Sequence, residues 1–239
     1  MKIDLFRGTI AVAIGACVSL GALAGTTATP REAALNGVWT LARPLGKELR
    51  DAKGAVPPLN AEGRKLYDER KAKLARGDKS FDLSQKCKPI GFPRSLWDGA
   101  PFDIQIQPDI VFEGFTWNRN HRMVNFSSKP PKLQVPRYYG TGSARWDGDT
   151  LVIDSGLYNT NSILDASGLP FSEDMMLVER YQPTNGGKGL DVQITITDAQ
   201  YYTRPWTVDV KFNKVPGGRI AEDVCQERSE FYKPLLKGR

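Results

Sequence analysis

Apolar and polar residues alternate along most of this chain with a period of two. Phe102, Ile104 and Ile106 alternate with Asp103, Gln105 and Gln107; Leu190, Val192, Ile194 and Ile196 share one face of a later run, and Trp206, Val208, Val210 and Phe212 share one face of the next. Such alternation marks half-buried strands. Turn-forming residues separate the runs: Pro108-Asp109, Asn118-Arg119-Asn120, Asp147-Gly148, Asn185-Gly186-Gly187 and Pro216-Gly217-Gly218. The pattern is densest from Ser143 to Tyr181, where Asp147-Gly148 supplies the positive φ angles of a tight hairpin turn and a further strand ends in Glu179-Arg180-Tyr181. Strands are expected from Leu35 to Leu41, 102–106, 110–117, 121–126, on both arms of the hairpin, 174–181, 190–197, 206–212 and 219–225. Short successive strands joined by tight turns predict an all-β fold, a single antiparallel meander barrel over residues 35–239 whose closure removes edge strands.

The helical period surfaces once. Asn60 is placed to cap, Glu62 sits in the first turn, and Leu66, Tyr67, Arg70 and Leu74 follow at helical spacing up to Gly77. The apolar face is narrow, so this insertion near 60–76 is expected to cover a barrel mouth and not to enter a core. Residues 25–34 read as a flexible lead, 43–58 as a Pro- and Gly-rich loop, 127–139 as an excursion without regular structure, and 159–168 as a polar loop.

The first residues change the picture of where the chain works. A short basic start with Lys2 and Arg7 precedes an uncharged run from Gly8 to Gly25, and Ala22-Leu23-Ala24 has the small-x-small form of a cleavage site. Residues 1–24 are read as a secretory signal, which places the mature chain in the periplasm or outside the cell. Cys17 follows Ile14-Gly15-Ala16, a loose lipoprotein box, but apolar residues continue past it, so cleavage after Ala24 is favoured over lipidation. Cleavage removes Lys2, Arg7 and Asp4 from 33 basic and 27 acidic residues and leaves a scattered net charge of +5. The basic cluster from Arg64 to Lys79 is interrupted by acids and lacks interleaved aromatics, so it reads as a solvated helix face and no nucleic-acid partner is expected. Cys87 and Cys225 remain after cleavage, and two cysteines in an oxidising compartment are read as a disulfide tying the ends of the domain together.

Candidate chemistry follows from strand parity. Val111, Glu113, Phe115 and Trp117 share one face, and Met175, Leu177, Glu179 and Tyr181 share another, so each strand sets one carboxylate among apolar neighbours. Desolvation there raises a carboxyl pKa toward the range useful in acid–base work. Arg122, Arg145 or Arg180 is the expected ion-pair partner, and an Arg such as Arg180 would steady developing negative charge. His121, the only histidine, and Asp154, at a strand end, complete the candidate catalytic set. Phe115, Trp117, Arg122, Arg145, Trp146, Met175 and Tyr181 are the candidate ligand-binding walls, with Met176 beside them. No Gly-x-Gly-x-x-Gly, Walker loop, Gly-x-Ser-x-Gly or His-x-x-x-His occurs, so no cofactor and no metal are expected.

Two resemblances add to this reading. Gly37-Val38-Trp39 resembles the Gly-x-Trp opening of lipocalin-like barrels, in which the Trp plugs the closed end and an Arg from the last strand covers it; Arg219 and Arg228 are the two candidates for that Arg. More broadly, Arg145-Trp146-Asp147-Gly148-Asp149-Thr150-Leu151-Val152, Pro170-Phe171-Ser172-Glu173, Val178-Glu179-Arg180 and Tyr202-Thr203-Arg204-Pro205-Trp206 resemble a large family of exported, mostly uncharacterised bacterial proteins. That likeness covers nearly the whole mature chain and implies an exported domain with cysteines at these places. It carries no His-based role, since Phe171 stands where members usually have a His. Two functions are compatible with all of this. One is a barrel binding a small apolar or aromatic compound; the other is a cofactor-independent lyase, isomerase or hydratase using Glu113 or Glu179 as proton shuttle.

Overall fold

In a computed structural model, which describes residues 28–127 and 135–225, nine strands close into one barrel in chain order. The strands are β1 (Gly37–Leu41), β2 (Phe102–Ile106), β3 (Ile110–Phe115), β4 (His121–Asn125), β5 (Thr141–Asp147), β6 (Thr150–Gly156), β7 (Met176–Thr184), β8 (Gly189–Thr197) and β9 (Trp206–Val215), and β1 pairs with β9 to complete the ring. The all-β barrel expected from the alternation is therefore the observed architecture. Residues 1–24, read from the sequence as a signal, with Cys17 among them, and Arg228 lie outside the described residues.

Every neighbouring pair is antiparallel except β4 and β5, which meet at one parallel bridge, Asn125 to Ser143. Asn125, the last residue of β4, meets Ser143 near the start of β5, so the two strands run in one direction. Phe126 stacks on Trp146 at 6.1 Å beside this sparse seam. The run 219–225, expected as a last strand, carries no strand and instead leads from β9 to Cys225. Cys225 is bonded to Cys87 with their Cα atoms 5.5 Å apart, as the two mature cysteines predicted.

Two helices flank the barrel. The lead expected to be flexible contains helix α1 (Pro30–Leu35), because Thr29 and Glu32 form a reciprocal capping box and Pro30 presets the first turn. It lies against the end of the barrel where β1 begins, and the Trp39 indole donates to the Leu35 carbonyl at 2.9 Å. The cation over Trp39 is Lys214, 4.9 Å from the ring, its ammonium also donating to the Ala34 carbonyl at 2.9 Å. Lys214 stands opposite Trp39 in the β1–β9 ladder, which Arg219 has already passed.

Helix α2 (Ala61–Ala75) is capped by Asn60, as predicted, and buries only Gly63 and Tyr67. It lies across the other end. The Tyr67 hydroxyl meets Ser167 Oγ at 2.6 Å, Leu59 bridges to Tyr202, and the Asn60 amide donates to the Gln200 carbonyl at 2.8 Å. The β6–β7 loop lies beneath it, organised by Asp165, which accepts from the Leu49, Ser167 and Leu169 amides and from the Ser167 hydroxyl. Trp97 Nε1 donates to the Leu164 carbonyl at 2.8 Å and pins the segment before β2 to the same loop.

Candidate functional site

Strand parity sends Glu113, Arg122, Ser155, Glu179 and Tyr181 into the barrel, and register brings them together. Glu113 stands opposite Arg122 in the β3–β4 ladder. Arg122 Nη1 and Nη2 donate to the two oxygens of Glu179 at 2.8 Å each, and Nη1 also reaches Glu113 Oε2 at 3.2 Å. Ser155 donates to Glu179 Oε1 at 2.6 Å, and Tyr158, just past β6, meets Ser155 at 2.7 Å. The Tyr181 hydroxyl lies 2.8 Å from Glu113 Oε1 and 2.9 Å from Glu179 Oε2. Phe92 caps the group, its ring 4.1 Å below the Arg122 guanidinium. Both glutamates and Tyr181 are wholly buried.

The electrostatics follow from two carboxyls sharing one cation out of water. Burial pushes Glu113 up to about 7, with Arg122 pulling down and the Glu179 charge pushing up. Burial likewise raises Tyr158 and Tyr181, and Arg122 rises because its two glutamates outweigh its own desolvation. Proton counting agrees. One phenol proton cannot serve two carboxylate oxygens, so the arrangement closes when Glu113 is a carboxylic acid donating to Tyr181, whose own proton goes to Glu179. The space around the cluster is taken by side chains, among them Phe115, Ile153, Met175 and Leu177. Buried apolar side chains pack around the cluster on the faces where the sequence places the ligand walls.

The other candidates lie elsewhere. Arg180 points outward and donates to Asp147 at 2.8 Å. Asp154 and Arg145 pair with each other on the outer face. His121 is exposed and stacks on Phe112 at 5.8 Å. Trp146 is half-buried on the inward face of β5 near its end, opposite Leu151 and packed against the core, with the Arg31 guanidinium 4.3 Å from its ring centre. Trp117 leaves β3 for the turn before β4, and Met176 is exposed. Of the expected site residues, Glu113, Glu179, Arg122, Tyr181, Phe115 and Met175 are buried inside the barrel, and Trp146 lies half-buried on the same inward face.

A feature that strand parity did not reveal sits over the covered mouth. A cleft of about 450 Å³ opens between α2, the 47–48 loop, the 79–85 segment and the β6–β7 loop. Leu74, Ala75 and Phe81 form its apolar side, and Lys47, Lys71, Lys79 and Arg94 its basic side. Glu48 is held by Lys71 at 2.6 Å, an exchange that lowers the Glu48 pKa and raises that of Lys71, and Asp82 is held by a bidentate Arg94 at 2.9 Å. Gln85 and Arg94 also border a second cavity of about 380 Å³ walled by Ile90, Thr116 and Trp117. The first cleft joins residues up to 120 positions apart, from irregular segments with no period to read.

A scan against protein-family models and a search of curated proteins find no match to this chain.

Proposed function

We propose that this chain is an exported β-barrel protein that binds a small molecule with an apolar or aromatic body, and that the ligand lies in the cleft over the covered mouth. The observation that carries this reading is the cleft itself, a concave site of about 450 Å³ with an apolar wall and a few polar groups, the size and composition of small-molecule sites. The barrel interior supports the same placement, because Glu113, Glu179, Ser155, Tyr158, Tyr181 and the Arg122 terminal nitrogens are engaged with one another and buried apolar side chains surround them. The disulfide, the signal-like first residues and the likeness to exported bacterial proteins support an oxidising, extracytoplasmic address. Among the described residues no helix is long and apolar enough to cross a membrane.

The test is mass spectrometry of compounds extracted from natively purified protein, followed by titration of the recovered compound into wild type and Leu74→Glu. A charge set into the apolar wall is expected to weaken binding at least about tenfold with the melting temperature almost unchanged, since Leu74 is only partly buried. Binding that survives the substitution overturns the placement.

The lyase, isomerase or hydratase reading rests on one specific observation, a buried Glu113 poised near neutrality beside Glu179 and two phenols. It requires a substrate to displace Phe92 from over Arg122. Turnover of an extracted compound that is lost in Glu113→Gln, with binding kept, would favour it over simple binding.

A further inference from the structure

We infer that the ligand of the mouth cleft is a small amphipathic acid, a carboxylate, sulfonate or phosphate carried on a hydrocarbon body; this rests on the cleft being the binding site. The charges facing the cleft set the class. Lys71 is engaged by Glu48 and Arg94 by both oxygens of Asp82, so these four side chains cancel in pairs. Lys47 and Lys79 face the same space, both exposed, and neither has an ion-pair partner among the described residues. The cleft therefore presents two uncompensated positive charges and no uncompensated negative one.

The apolar wall fixes the rest of the ligand. Leu74 and Ala75 come from the last turn of α2 and Phe81 from the segment after it. Phe81 is held from behind, with Arg70 over its ring at 5.7 Å and Arg70 Nη1 donating to the Gly168 carbonyl at 3.1 Å. A hydrocarbon body against this wall leaves an acidic head free to reach Lys47 and Lys79 at the rim, where it remains partly hydrated. An inorganic anion would forgo the wall, and a cationic amphiphile would meet like charge.

Two fluorescent probes with the same aromatic body separate the contributions: anilinonaphthalene sulfonate, which is anionic, and phenylnaphthylamine, which is neutral. With the full mature protein at neutral pH and physiological salt, the sulfonate is expected to bind roughly tenfold more tightly, the effect of two partly screened charges. The Lys47→Gln, Lys79→Gln double variant should bring it to the level of the neutral probe without moving the melting temperature. Displacement by tetradecanoate but not benzoate assigns a chain acid, and the reverse an aromatic one. Equal affinity for the two probes, or no response to the lysine substitutions, overturns the acid class while leaving the cleft as a binding site. Binding of neither probe, or binding that persists in Leu74→Glu, overturns the site and the class together.

Discussion

One phenol proton decides the chemistry at the centre of the barrel. Tyr181 stands within hydrogen-bond distance of both glutamates, so Glu113 must carry a proton for every contact to be favourable. The alternative is a buried group of two carboxylates and one guanidinium with a net negative charge, which is costly out of water. Glu113 is raised from an ordinary 4.5 to about 7, so the folded state binds this proton more tightly than the unfolded state. The stabilisation is complete below about pH 4.5 and is lost as pH rises through about 7, a change on the order of 3 kcal/mol. Urea unfolding across pH 5 to 9 should show that decline. Glu113→Gln should remove it, because an amide can accept from Arg122 and donate to Tyr181 as the neutral acid does. The variant is expected to match wild type near pH 5 and exceed it at pH 9, and an unchanged slope would show that the proton resides elsewhere. Parity alone made it legible that Glu113, Glu179 and Tyr181 share the interior. The choice of Arg122 over Arg145 and Arg180 was not legible as a pairing, because it depends on the β3–β4 register that sets Arg122 opposite Glu113.

Elements that bury one face were readable from the chain, and those held by distant partners were not. The Asp147-Gly148 hairpin, the Asn60 cap of α2 and the repeated strands of β2, β8 and β9 each carry a local reason for their shape, and each was predicted. Helix α1 was missed although its capping box is local, because six residues give too short an apolar period. The cleft was missed for a different reason, since no segment that builds it has a period and Asp165 and Asp82 hold their loops through backbone amides and Arg94. Gly168 shows how closely these segments meet. It has φ +95°, and a Cβ there would lie 2.8 Å from Arg70 Cβ and 3.0 Å from the Phe81 ring. Gly168→Ala therefore adds both backbone strain and a collision, a loss of about 1–3 kcal/mol. The displaced Phe81 should weaken cleft ligands by more than the small drop in melting temperature suggests. Unaltered affinity in this variant, measured beside Leu74→Glu, would mean that Phe81 is not part of the binding wall.

At the scale of the molecule the barrel closes itself through its ladders, and one covalent link joins two segments that lie outside them. Cys87 lies between α2 and β2, and Cys225 lies beyond β9, 138 residues later, so the loop they close contains β2 through β9. Asn118, in the β3–β4 turn, joins both sides: its amide donates to the Cys87 carbonyl at 3.3 Å, and its backbone N–H donates to Asp223 at 2.7 Å. The cavity of about 380 Å³ is bordered by residues from these same segments, Ser84 and Gln85 on one side and Asp223 on the other. A crosslink spanning so many residues restricts the unfolded chain strongly, by on the order of 4–5 kcal/mol in the chain-entropy description. For a domain of this size that corresponds to a fall of roughly 10 °C in melting temperature on reduction or in the Cys87→Ser, Cys225→Ser double variant. The barrel ladders do not pass through the link, so far-ultraviolet dichroism of the variant at low temperature should equal that of wild type. The 450 Å³ cleft is walled by α2, the 47–48 loop and the β6–β7 loop, and its edge nearest the disulfide, the 79–85 segment, is also held by the bidentate Arg94–Asp82 pair, so its ligand affinity should change little. Loss of the folded barrel on reduction would show that the disulfide secures the ring itself, and equal melting temperatures would show that Asn118 and its partners hold both segments without it.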